Sequence, residues 1–325
     1  MNKRARMNIA TSLNSKYMRY TCVMLTSVFE NQPKDLDIHI YLLHHDLTET
    51  DKKHLQDAAD SYGGTLHLLH IDTSCFPKSC PVSDEWSLEI YFRLMLQRIL
   101  PLDVDRILYL DVDIIVNHSL EELYNTDFEG NMLCACPDAF CGTFPDFRNE
   151  IFKEHLSKGF TYFNSGVMVL NIACMREKYC LEDYLKIAES LNYELVAPDQ
   201  DMLNYVHWTE VKILDETKYN LFARWAYQHD IHYEEVKEQV TIVHYIGYKP
   251  WSGESVHYDI EQLWWDYAKK TSFYVEMMEE FVYETINAPG VFAAMEKIRH
   301  EKKLLKEELA KSAELCQNLF KLVQK

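Results

Sequence analysis

No run of about 18 or more apolar residues occurs anywhere in this 325-residue chain, so it holds no candidate for a membrane-spanning helix. The basic opening Met1-Asn-Lys-Arg-Ala-Arg6 is followed by no apolar stretch long enough for a secretory signal. Concentrated positive charge is lacking as well. Lys and Arg total 33 against 51 Asp and Glu, a formal net charge of −18, which argues against a nucleic-acid partner because neutralising phosphates takes clustered basic side chains. An anionic ligand must then be held by a local positive patch or by metal. Paired C-x₂-C spacing is missing among the nine cysteines, so Cys134-x-Cys136-x₄-Cys141 reads as free thiols in preference to a zinc site. Their odd number and wide spread fit a reducing cytoplasm. There is neither an internal repeat nor a low-complexity tract.

What is present is enough chain, 47% of it hydrophobic, to bury one large α/β domain with an appendage. Strand signals at Met7–Leu13, Asp37–Leu43 and Leu66–Ile71 alternate with helical patterns, the first through Met18, Cys22, Leu25, Val28 and Phe29. Thr48 with Asp51 opens a second helix as a capping pair, and Gly63-Gly64 stops it. Such alternation predicts a mostly parallel sheet with helices on its faces. Further along, Ser87–Leu100, Cys174–Leu191 and Asp199–His207 read as helices, and Ser119-Leu-Glu-Glu-Leu as a short capped one. Met132–Cys136, Gly166–Leu170 and Thr241–His244 read as strands. Ile260–Tyr267 and Tyr274–Ile286 suggest peripheral helices, ended by the breaker Asn287-Ala-Pro-Gly290.

The most informative segment is Ile107-Leu-Tyr-Leu-Asp111-Val-Asp113-Ile-Ile-Val116, which puts two carboxylates one residue apart inside an apolar run. Read as one continuous strand, it points Asp111 and Asp113 to one side and Val112 to the other. Two adjacent carboxylates at the end of a buried strand repel and lose hydration, a cost of roughly several kcal/mol unless a cation or protons compensate. Oxygen ligands of this kind suit Mn²⁺ or Mg²⁺. A separate segment, His244-Tyr-Ile-Gly247-Tyr-Lys249-Pro-Trp251, follows a strand and supplies a metal-capable imidazole, a glycine permitting close backbone approach and a lysine suited to phosphate. Alone, His244 reads sooner as a core histidine; combined with Lys249 and the paired aspartates, it reads as a ligand.

Together with Phe163-Asn164-Ser165-Gly166 and Pro198-Asp199-Gln200-Asp201, these segments resemble glycosyltransferase family 8, the retaining bacterial lipopolysaccharide galactosyl- and glucosyltransferases, with glycogenin a more distant relative. The resemblance covers roughly Met7 to Trp251 and continues more loosely through Tyr258 to Tyr274. It implies a GT-A-type nucleotide-diphospho-sugar transferase fold, with the donor at the carboxyl ends of the parallel strands. In domain terms it implies an extension at 1–6, a catalytic domain at 7–255, peripheral helices at 256–290 and an amphipathic helix at 291–325.

By the same match, Asp111, Asp113 and His244 would bind Mn²⁺, with Mg²⁺ the other option, and the ion would bridge the phosphates of UDP-galactose or UDP-glucose. Lys249 and the Gly247 N–H would hold the diphosphate beside Val112. The segment Thr11-Ser-Leu-Asn14-Ser-Lys-Tyr17 corresponds to the uridine pocket, with Tyr17 stacking on the base. Asn14 stands where the family has Asp; its carbonyl still offers an acceptor for uracil, and a turn role remains open. Arg93 matches the helix arginine near the donor sugar, and an exposed salt bridge is its bland alternative. Asn164, Ser165 and Asp199 match donor contacts, and Gln200 matches the residue nearest the anomeric carbon. Retention ordinarily calls for two carboxylates about 5 Å apart. Gln200 is an amide and a poor nucleophile, so the resemblance implies front-face substitution, with a covalent intermediate on Asp199 as the alternative.

The acceptor implied is a glycan or glycolipid, bound by the 137–159 stretch, whose Phe140, Phe144, Phe147 and Phe152 make either a lid or core. The tail carries Val291, Met295, Ile298, Leu305, Leu309, Cys316, Leu319 and Val323 at heptad-like spacing. It suits packing on a partner, on itself or on a membrane surface, or docking on its own domain. A cytoplasmic protein, peripheral to the inner face of the membrane through this tail, is the location these features imply. Two rivals stand beside the transferase: a non-catalytic sugar-nucleotide-binding scaffold, and a haloacid dehalogenase-like phosphatase, which also uses D-x-D but near the start of its domain.

Overall fold

The computed structural model describes residues 5–83, 87–140, 152–253, 256–287, 298–306, 309 and 311–312. Among the described residues ten strands form two sheets: β1 Arg6–Ser12, β2 Asp37–His44, β3 Thr65–His70, β4 Arg106–Leu110, β5 Ile114–Val116, β6 Leu133–Pro137, β7 Phe163–Asn171, β8 Val211–Ile213, β9 Leu221–Phe222 and β10 Ile242–His244. The large sheet runs β3-β2-β1-β4-β7-β6-β8. Its first four strands pair in parallel, as do β6 and β8, while β7 is antiparallel to both β4 and β6. The mostly parallel α/β sheet expected from the alternating pattern is therefore present. A small sheet, β5-β10-β9, joins the segment after the paired aspartates to the strand that ends in His244.

Alternation along the central strands builds two apolar layers. Ile9, Leu108 and Val169 pack with the helix Met18–Glu30, whereas Ala10, Tyr109 and Met168 face Tyr91, Phe92 and Met202. Each fully buried Ile, Leu, Val, Phe or Met among these contributes about 1.5–3 kcal/mol over its exposed state. Thr48 caps the helix Glu49–Asp60 with Asp51 in the reciprocal arrangement expected from their spacing.

Three local expectations need correction. The Asp-Val-Asp run is not one strand: β4 ends at Leu110, residues 111–113 turn, and β5 begins at Ile114 in the other sheet. The chain must leave the large sheet there because β5 pairs with β10. Ser87–Leu100 is mainly a 3₁₀ helix, Leu88–Met95, with a single α turn at Leu96–Ile99. The Ile90 carbonyl accepts Arg93 Nε at 3.1 Å, which competes with α-helical bonding there. Cys174–Leu191 is two helices, Ile172–Lys178 and Leu181–Ser190, because Asp183 accepts the Cys180 N–H at 3.0 Å and starts a new helix.

The chain divides into two compact units, Met1–Pro250 with His257–Tyr274, and Trp251–Val256 with Val275–Lys325. Within the second, Gly253 N donates to Glu284 Oε2 at 2.8 Å on the helix Tyr274–Asn287. Val275, Val282, Tyr283 and Ile286 are exposed on that helix, as are Ile298 and Leu305 in the helical 298–306 segment. Val291, Met295, Cys316, Leu319 and Val323 lie outside the described residues. Among the described residues no helix is long and apolar enough to cross a membrane.

Candidate active site

Strand β4 carries the chain to Asp111, whose amide donates to the Gly166 carbonyl at 2.9 Å on neighbouring β7. Asp113 is tied to the other sheet, since its carbonyl accepts the Tyr245 N–H at 2.9 Å. The turn between the sheets thus brings both carboxylates to His244. Its Nε2 lies 3.2 Å from Asp113 Oδ1 and 4.0 Å from Asp111 Oδ2. One donor atom from each of the three residues falls within 4.8 Å of the others. Two carboxylates and an imidazole at this spacing fit a small divalent cation such as Mn²⁺.

Asn220 completes the arrangement from β9's leading edge. Its Oδ1 lies 2.9 Å from His244 Nδ1, and its Nδ2 donates to Asn164 Oδ1 at 2.9 Å. Gly166 sits under the cluster: a Cβ there would fall 2.4 Å from His244 Cε1 and 2.6 Å from Asp111 Oδ2. No other residue fits without moving the candidate ligands.

Lys249 pairs with Asp113 Oδ2 and donates to the Tyr245 carbonyl at 3.0 Å. Burial alone would push the Asp113 carboxyl up, but Lys249 and His244 outweigh that and hold it well below the usual carboxylate range. Gly247, exposed and at φ +79°, makes the left-handed turn that presents this loop.

A second set of polar groups lies beside the first. Arg93 is buried, so its salt bridges are internal and the exposed alternative is excluded. Its Nη2 reaches Asp111 Oδ1 at 2.8 Å, Nη1 reaches the Ser165 carbonyl at 2.8 Å, and Nε lies 3.1 Å from Asp199 Oδ2. The guanidinium stacks over Tyr109 at 4.4 Å, and the tyrosine hydroxyl donates to Asp111 Oδ1 at 3.2 Å. Burial pulls the Arg93 pKa down, yet the two aspartates more than restore it. Asp199 differs from Asp113. Burial and the nearby Asp111 charge prevail over Arg93 and raise its carboxyl to about 6.

Gln200 is fixed at both ends of its amide. Oε1 accepts from Ser165 N at 2.9 Å and from Asn164 Nδ2 at 2.9 Å, while Nε2 donates to Asp138 Oδ2 at 2.9 Å. Ser165 Oγ donates to Asp199 Oδ2 at 3.1 Å. Asn164, Ser165, Asp199 and Gln200 are thus one connected network with Arg93, which meets the candidate cation ligands at Asp111.

The other residues singled out from the sequence sit on neighbouring elements. Thr11 is fully buried on β1. Asn14 precedes a 3₁₀ turn, Ser15–Tyr17, and its Nδ2 faces the buried Glu89 at 3.4 Å. Tyr17 meets Tyr20 edge-on at 5.9 Å. Val112 packs partly into the core beneath the aspartates. Phe152 is core, in a small cluster with Phe160 and Tyr162, and Phe140 rests on Phe222 at 5.6 Å. Phe144, Phe147 and Cys141 fall outside the described residues; Cys134 and Cys136 are buried free thiols. Asn220, Asp138 and Tyr109 were not legible as site residues. Of these only Tyr109 left a signal, a phenol inside an apolar strand.

The sequence profile described as Glycosyl transferase family 8 matches residues 8–255. A lipopolysaccharide 1,2-glucosyltransferase of Escherichia coli is 26% identical over 265 residues, 77% of this chain and 75% of its own length. General stress protein A of Bacillus subtilis is 25% identical over 284 residues, 79% of this chain and 91% of its own. Among solved structures, the galactosyltransferase LgtC, in complex with donor and acceptor sugar analogues, superposes with a TM-score of 0.69. It is 24% identical and covers 82% of this chain and 96% of its own, a likeness of fold that agrees with the GT-A-type architecture. With three quarters of its length accounted for by that profile, the chain belongs to glycosyltransferase family 8.

Proposed function

We propose that this glycosyltransferase moves galactose or glucose from a UDP-sugar to a hydroxyl of a glycan or glycolipid, with retention of configuration and dependence on Mn²⁺ or Mg²⁺. The observation that carries the reading is the convergence of Asp111, Asp113 and His244 on one point, with Lys249 against the same aspartate. A divalent ion held there would neutralise the diphosphate and stabilise UDP as it leaves. Lys249 would turn from Asp113 to the phosphates, and the Gly247 N–H would approach them through its open turn. Asn14 and Tyr17 would take the base, with Thr11 and Val112 shaping the floor behind the nucleotide.

Arg93, Asn164, Ser165 and Asp199 would orient the sugar. Gln200 has its carbonyl oxygen occupied by two N–H donors, which suits a fixed dipole near the anomeric carbon better than an attacking group. Front-face substitution follows: the acceptor hydroxyl gives its proton to the leaving phosphate oxygen as the new bond forms on the face just vacated. The lipopolysaccharide enzymes among its relatives favour a bacterial surface glycan as acceptor, assembled at the cytoplasmic side of a membrane.

The test is UDP release from UDP-galactose and UDP-glucose with Mn²⁺, for the intact chain and for Asp113→Ala. Loss of roughly a hundredfold or more in the variant is expected. Equal rates in the two proteins, or no UDP from either donor, would leave a sugar-nucleotide-binding scaffold as the better description.

A further inference from the structure

Arg224 is the second residue of the short helix Ala223–Gln228 and is partly buried. Its guanidinium carbon lies 5.5 Å from the ring centre of Phe140 and 5.5 Å from that of Tyr248. Among the described residues it has neither a hydrogen bond nor a carboxylate partner. Arg6, Arg93, Arg106 and Arg176 all end on oxygen atoms. Among the described arginines, Arg224 is partly buried and held by ring faces, whereas Arg98, which also ends on no oxygen, is exposed. Aromatic contact fixes the guanidinium plane while leaving its N–H edge able to donate.

The two rings belong to segments that carry candidate site residues. Tyr248 stands between Gly247 and Lys249, the residues assigned above to the diphosphate. Phe140 N donates to Asp138 Oδ1 at 2.9 Å, and the other oxygen of that carboxylate holds Gln200. Phe140 also rests on Phe222, whose ring meets His244 edge-on at 5.6 Å. Arg224 is therefore joined by ring contacts to the loop that carries Lys249 and, through Phe140, to the segment whose Asp138 holds Gln200. A UDP-hexose has no charge beyond its diphosphate, which already has Lys249 and the candidate metal ligands.

We propose that Arg224 binds a carboxylate of the acceptor near the hydroxyl that receives the sugar. This rests on the transferase reading above, and it adds that the acceptor is acidic. A planar guanidinium matches a carboxylate through two parallel N–H donors.

The test uses the full chain with Mn²⁺ and UDP, and a matched pair of probes, methyl galacturonide and methyl galactoside, in Arg224, Arg224→Gln and Arg224→Lys proteins. Binding is read by calorimetry, and transfer, where it occurs, as kcat/KM with UDP-galactose or UDP-glucose. The expected result is at least about tenfold preference for the galacturonide, as one charge-assisted pair supplies. That ratio falls to near one in Arg224→Gln and is partly kept in Arg224→Lys. An equal ratio in the parent and Arg224→Gln, or no galacturonide binding to the parent, overturns the proposal. So does a rise in donor KM without change in the acceptor ratio, which assigns Arg224 to the diphosphate instead. Failure of the transferase reading shows separately, as absence of UDP release while the binding arm still reports on Arg224.

Discussion

Asn220 Oδ1 lies 2.9 Å from His244 Nδ1, and the Asn220 amide is itself oriented by donating to Asn164. With its oxygen towards the ring, Asn220 favours the tautomer whose Nε2 lone pair faces Asp113 and Asp111. Replacing Asn220 with Ala removes that orientation without touching a candidate ligand. Mn²⁺ affinity, followed by electron paramagnetic resonance, should fall by about 10- to 100-fold. Unchanged affinity would mean that Asn220 has no part in preparing the imidazole.

Gly166→Ala tests the site from below. Its methyl group would overlap both His244 and Asp111, neither of which is the free end of a long side chain. The variant should lose at least about tenfold in Mn²⁺ affinity, while crowding costs about 1–3 kcal/mol of stability. Paired metal titration and urea unfolding check the two effects. Full metal binding by a stable variant would show that the ligands do not lie as close as described.

For Lys249→Met the expected effects have opposite signs. Without nucleotide, removal of the ammonium from Asp113 frees an oxygen and a negative charge, so Mn²⁺ should bind a few-fold more tightly. UDP should bind about tenfold more weakly in the presence of Mn²⁺, because one phosphate contact is gone. Calorimetric titration of each ligand in turn separates the two. Parallel weakening of both would point to a scaffold role for the lysine.

Asp199 gives a pH signature. Its folded-state pKa of about 6 stands above the ordinary 3.8, so the folded protein holds this proton more tightly than the unfolded chain. That contribution to stability is complete below about pH 4 and is lost as pH rises through about 6, a change of roughly 3 kcal/mol at most. Asp199→Asn lacks it. The stability of the parent relative to the variant should therefore decline between pH 4 and 6.5 in urea unfolding series. A flat or rising difference would show that Arg93 keeps Asp199 ionised throughout.

Much of the site was legible because its members sit in short chemical words. Asp111-Val-Asp113, His244 to Lys249 and Asp199-Gln200 each combine polar groups with an apolar strand or a helix start, a mixture that packing alone would not require. Asn220 and Asp138 were not legible, because a single Asn or Asp beside a turn is ordinary. Their roles arise from partners 24 and 62 residues away. Boundaries failed where long-range partners decided them. Asp111–Asp113 reads as strand by local pattern, yet it turns because β4 and β5 belong to different sheets.

Pattern and composition by themselves determined the alternating α/β architecture, since periodic burial of apolar side chains is a local property that each segment carries with it. They also placed two carboxylates one residue apart, a spacing that calls for positive charge close by. Only the tertiary structure decided which groups answer that need. The separation of β5 from β4 carries Asp113 to His244 and Lys249, and the pairing of β4 with β7 sets Gly166 under them. Arg93 became a buried link between Asp111 and Asp199 for the same reason: the balance between burial and opposing charge exists only once distant segments share one interior.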